Sequence, residues 1–122
     1  MPNVTLLKST FAHVVQHPER WDQGDWRACM AAHVVMASGG RWVTTDATEE
    51  TSLAVLATAD EREMCQGRAM RLPAGTVVEG VWVWERAVRL LDITPRQGRQ
   101  LFAPTNTLDD LRQIIHDLCE AA

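Results

Sequence analysis

The 122-residue chain has no tyrosine, two phenylalanines, a single lysine and three cysteines. Each shortage narrows what it can be. Cys29, Cys65 and Cys119 are an odd number at no regular spacing, so they form no disulfide framework and read as reduced thiols. Long apolar runs are missing too. The longest stretch without Asp, Glu, Lys or Arg, Ala28 to Gly40, is too short to cross a bilayer. Met1-Pro2-Asn3-Val4-Thr5 lacks a basic segment followed by an apolar run, so no signal peptide is expected and a cytoplasmic setting is the default. No P-loop, Gly-x-Gly-x-x-Gly, His-Glu-x-x-His or Gly-x-Ser-x-Gly motif occurs, which leaves the well-marked enzyme classes unsupported.

What is present describes an ordinary globular chain. Apolar residues make up 46% and charged residues 23%, enough for one domain over residues 1–122 with a hydrophobic core and no need of a metal to fold. The net charge of −4 is unevenly spread. Residues 67–103 hold six Arg against three acids, between two acidic segments. That is a weak footprint for nucleic acid, which needs several phosphate contacts, and such a partner is not favoured.

Helical periodicity is clear at both ends. Val4, Leu7, Phe11, Val14 and Val15 share one face of a helix over 4–16, capped by Asn3 and ended by His17-Pro18. A single turn from Pro18 to Trp21 follows. Asp25 is the expected N-cap of a helix over about Trp26 to Ser38, apolar on nearly every face and stopped by Gly39-Gly40. Near the C-terminus, Trp84 to Asp92 suits a helix. Thr94-Pro95 starts another reaching Phe102, and Thr107 caps a last one whose Leu108, Leu111, Ile115 and Leu118 repeat in phase. The middle is weaker. Arg41 to Thr44 suits a short strand, Thr45 to Thr51 a loop, Leu53 to Met64 a helix, and Leu72-Pro73-Ala74-Gly75 a turn. Thr76 to Val83 suits a strand or the lead-in to a helix. The expected fold is mainly α, a compact bundle of four or five helices with at most a small β element in residues 41–83.

Four groupings could carry chemistry. His13 with His17, and Cys29 with His33, are two i, i+4 pairs that place ligand side chains on one helix face each. Two such faces meeting would give tetrahedral zinc four ligands, whereas a satisfied core histidine is the ordinary fate of His33. Gln23-Gly24 lies shortly before Cys29, expected in the first turns of a helix. This looks like the opening of papain-type cysteine peptidases and implies a cysteine-dependent hydrolase, in which Gln serves the oxyanion and the helix lowers the thiol pKa. Arg27-Ala28 replaces that family's Gly-Ser, and a small buried thiol is the ordinary reading. Glu85 to Phe102 has helix-turn-helix length, but Gly98 falls where an apolar residue should pack, so a plain helical corner fits better. Finally, Trp21, Trp26, Trp82 and Trp84 stand near element ends, where core packing is the default and a binding hot spot the alternative.

Two stretches carry a resemblance. One is His17-Pro18-Glu19-Arg20-Trp21-Asp22-Gln23-Gly24-Asp25-Trp26 with Cys29-Met30-Ala31-Ala32-His33. The other is Leu90-Leu91-Asp92-Ile93-Thr94-Pro95 with Gln97, Leu101-Phe102 and Asn106-Thr107-Leu108-Asp109-Asp110-Leu111. Together, over about a third of the chain, they resemble a group of small uncharacterised proteins common in actinobacteria and their phages. Ala32 stands where that group has Gly, and an earlier Cys-Gly-Thr is missing. The resemblance implies closing helices and a phage or mobile-element setting, but no activity. The resulting expectation is a non-enzymatic accessory or regulatory protein acting through a protein partner or self-association, with no cofactor, no membrane, and zinc as the alternative.

Overall fold

The computed structural model describes residues 1–25, 27–43, 54–72 and 75–121. Among them are six α-helices, a single 3-10 turn at Pro18–Arg20 and one three-stranded antiparallel sheet. The chain is mainly α with a small β element, and the helices outnumber the four or five expected. No helix among the described residues is long and apolar enough to cross a membrane.

Local chemistry sets most boundaries. Helix α1 (Val4–Gln16) starts where the Asn3 side chain accepts the Leu6 amide, and it turns Leu7 and Val14 into the core. Helix α2 (Met30–Ala37) begins four residues later than expected. Asp25 caps a separate turn instead: its carboxylate accepts the Arg27 amide, and its carbonyl accepts those of Ala28 and Cys29. Cys29 is the N-cap, in an extended conformation. The helix stops as expected. Gly39, at φ 86°, gives its amide to Met36 while the Gly40 amide reaches back to Val35, the pairing a left-handed residue allows.

The expected helix over Leu53 to Met64 is corrected. Ala54–Leu56 forms strand β1, and only Ala59–Glu63 forms a helix, α3. Pairing with a neighbouring strand overrides the helical preference of Ala and Leu, and the Thr58/Glu61 capping box then starts the helix afresh. Strand β2 (Arg68–Arg71) was not anticipated, whereas β3 (Val77–Trp82) falls where a strand was expected. Strand β3 is central, pairing Val81 with Val55 on one side and Val78 with Met70 on the other. Before β1, Trp42 makes one isolated bridge to Val55. The expected loop at Thr45 to Thr51, and Pro73-Ala74 of the expected turn, lie outside the described residues.

Strand β3 runs straight into helix α4 (Val83–Leu91), with Trp82 as the N-cap. Thr94 and Thr107 cap α5 (Pro95–Leu101) and α6 (Leu108–Glu120) through capping boxes. Helix α2 packs between α1 and α4, and α6 packs on α1 and α5. Five helices and one face of the sheet share the main core, which runs from Leu7 through Met30, Val34 and Val55 to Leu111. The other sheet face holds a smaller cluster of Val43, Ala54 and Met70, with Trp82 packed against it. The alternation at 81–84 therefore has one destination per residue. Val81 and Val83 are fully buried, Trp82 is half-buried, and Trp84 remains 39% exposed.

Candidate functional site

The structure separates the tryptophans. Trp21 packs against the main core and donates its indole N–H to Gln23 Oε1 at 3.1 Å. Trp82 belongs to the smaller cluster and lines a shallow cleft with Arg68 and Met70. Trp26 lies outside the described residues. Trp84 alone of those described opens onto a groove of about 320 Å³ between α4 and α5, walled by Val88, Pro95, Phe102 and Pro104. Gly98 forms its floor, where a Cβ would stand 2.6 Å from Val88 Cγ2, so glycine is what lets the two helices meet. The position that disfavoured a helix-turn-helix is a close helix contact.

The histidines are brought together. The ring centres of His13 and His17 lie 4.7 Å apart, and those of His13 and His33 5.9 Å apart. His13 and His33 line a cleft of about 440 Å³ between α1 and α2 with Ser9, Thr10, Met36 and Ala37. Thr10 is 3% exposed and its hydroxyl has no hydrogen-bond partner. Nε2 of His33 lies 2.9 Å from the Arg20 carbonyl, and Nδ1 of His17 lies 3.5 Å from a Glu19 carboxylate oxygen. Among the described residues, no three His, Cys, Asp or Glu side chains already converge as a metal cage.

Cys29 belongs elsewhere. It caps α2 rather than lying on it, so the i, i+4 face it was expected to share with His33 does not exist. It is 1% exposed in the main core. Burial pushes its thiol above the usual value, although the backbone amides of Ala32 and Ala31 pull the other way. A nucleophilic cysteine needs the opposite, a lowered thiol pKa and access. Gln23 is not free to serve an oxyanion either. Its amide donates to the carbonyls of Leu101 at 3.0 Å and Ala103 at 3.2 Å, and its oxygen accepts the amide of Met30 and the indole of Trp21. Every hydrogen-bonding position of this buried side chain is used.

Sequence reasoning missed the one buried charge cluster described. Glu61 on α3 accepts from Arg86 Nε at 3.0 Å, from Nη2 atoms of Arg86 and Arg89, and from the Thr58 amide at 2.9 Å. Arg86 also reaches the Leu56 carbonyl at 2.7 Å. Burial on its own would raise the Glu61 carboxyl, but the Arg86 hydrogen bond, the Thr58 amide and the two guanidinium charges outweigh it and hold the carboxyl below its ordinary range. The signal was there to find. Arg86 lies three residues after Val83 and four before Leu90, an arginine on an apolar stripe. With Glu61 saturated, the cluster clasps α3 to α4 and offers no free carboxylate.

The chain matches no family model, no curated protein and no solved structure.

Proposed function

We propose that this protein is a non-enzymatic accessory or regulatory factor that binds another protein through the groove between α4 and α5. The observation that carries the reading is the exposed face of Trp84 over walls of Val88, Pro95, Phe102 and Pro104. Large aromatic rings beside a preformed apolar depression are where binding energy concentrates. The occupant follows from the charge around it. Among the described residues Arg99 is the only charged one lining the groove, and α5 carries Arg96 and Arg99 with no acid. A partner segment with an apolar anchor flanked by Asp or Glu complements both features.

The test is selection of random peptides displayed on phage against the purified protein, followed by affinities for the enriched sequences. Enrichment of an apolar anchor with adjacent acids is expected. Trp84→Ala should weaken the binding by at least about tenfold, as at an aromatic hot spot. Enriched peptides that bind Trp84→Ala unchanged, or no enrichment at all, would overturn the proposal. A dimer that dissociates in Trp84→Ala would overturn the acidic partner in favour of a second copy of this chain.

A further inference from the structure

The cleft beside the Glu61 clasp carries a separate inference. Ser38 and Gly39 at the end of α2, Thr58 at the cap of α3, and Arg86 and Arg89 on α4 line a space of about 270 Å³ with Glu61. We infer that this cleft binds phosphate, as the free ion or a small monoester, with Arg86, Arg89 and Thr58 as its donors.

The charge balance calls for an anion. Two guanidinium groups share one carboxylate, and both donate to the same oxygen, Glu61 Oε2, so they stand side by side. Their side chains are 8% and 34% exposed, and a net positive charge withdrawn from water favours a counter-charge. Glu61 has nothing left to offer a cation. Oε1 accepts the Thr58 amide and Arg86 Nη2, and Oε2 accepts Arg86 Nε and Arg89 Nη2, which fills the roughly four lone-pair positions of a carboxylate.

Donors, by contrast, are left over. Arg86 spends Nε and Nη2 on Glu61 and the Leu56 carbonyl. Its Nη1 has no partner among the described residues and is not sealed from solvent. Arg89 spends Nη2 on Glu61 and keeps Nε and Nη1. The Thr58 hydroxyl accepts the Glu61 amide and still has its own proton to give. Arg86 is already fixed by these bonds, so it presents its spare nitrogen without the loss of side-chain freedom that a surface arginine incurs on binding. A planar carboxylate ligand offers oxygens in one plane. A tetrahedral phosphate offers them in several directions, which suits donors arriving from α4 and from the α3 cap.

Calorimetric titration of the intact chain at low ionic strength with inorganic phosphate, glycerol 3-phosphate and acetate tests this. One phosphate per chain is expected, with acetate weaker by at least about tenfold. Arg89→Gln should weaken phosphate binding by at least about tenfold, while Arg86 and the Thr58 amide still hold Glu61. Ser38→Glu leaves every bond of the clasp in place, because the Ser38 hydroxyl bonds only the Val34 carbonyl. Its added carboxylate at the cleft should repel the anion and weaken binding by about tenfold. Tighter binding of glycerol 3-phosphate would identify a monoester as the ligand, and equal or weaker binding the free ion. Absence of saturable one-to-one phosphate binding would overturn the inference. So would an affinity unchanged in Arg89→Gln or in Ser38→Glu, or acetate bound as tightly as phosphate. Loss of binding in Arg96→Gln/Arg99→Gln would place the ion on α5 and overturn it too. Trp84→Ala should bind phosphate like the native chain, so this test and that of the groove fail separately.

Discussion

Two buried polar side chains hold peripheral segments onto the helical core, and they do so by different chemistry. Gln23 ties the loop between α1 and α2 to the end of α5 with a neutral amide, two hydrogen bonds given and two received. Glu61 ties α3 to α4 with a carboxylate between two guanidinium groups. A neutral amide can lose a partner and leave behind only unsatisfied dipoles. A buried ion pair that loses a partner leaves an uncompensated charge, and that costs far more. The contrast teaches that the chain is fastened firmly in two places with unequal sensitivity, one of them responsive to acid.

The largest effect is expected where the charge is broken. Arg86→Ala should destabilise the domain by about 3–5 kcal/mol in urea unfolding, the cost typical of breaking a buried pair. The same site sets the acid limb of stability. The Glu61 carboxyl is held below its ordinary value of 4.5 in the folded chain. Its contribution is therefore present above about pH 4.5 and is lost as pH falls through the depressed folded value. Arg86→Ala should make that limb shallower, and an unchanged limb would show that Glu61 does not set it. Gln23→Ala should cost less, about 2 kcal/mol, with the acid limb intact. Asn106 still donates to the Leu101 carbonyl, through its side chain, and to that of Ala103, through its backbone, so Trp21 and Met30 are the groups left without an acceptor. A loss equal to that of Arg86→Ala would erase the distinction between the two clasps. The smallest effect belongs to Thr10→Val. Its buried hydroxyl has no partner to lose, and a methyl of the same shape should leave stability within about 0.5 kcal/mol or raise it slightly. A clear loss would mean that the hydroxyl is satisfied after all.

Fold and site differed in how far the sequence exposed them. The end helices were legible because each carries its own start signal and a stripe in phase: Asn3 with Leu7 and Val14, and Thr107 with Leu111, Ile115 and Leu118. The Gly39 stop was legible for the same local reason. Strand β1 was not, because Ala54-Val55-Leu56 is indistinguishable by propensity from a helical turn. Only the pairing with Gly80-Val81-Trp82, more than twenty residues away, makes it a strand. The histidine cluster was half legible. His13 and His17 meet as the spacing implied, although His17 stands one residue past the end of α1. Cys29 failed because, as the extended N-cap of α2, it turns into the main core while His33 lines the cleft. Glu61 escaped notice because its partners lie 25 and 28 residues on, a distance no periodicity spans.

Trp82 ends a strand and begins a helix within a single residue. No slack lies between the sheet and α4, so the pair behaves as a lever rather than as two parts joined by a hinge. Trp84 sits in the first turn of that lever and Arg86 a little further along it. The central strand, the groove wall at Trp84 and the α3 clasp at Arg86 thus stand on one uninterrupted run of backbone.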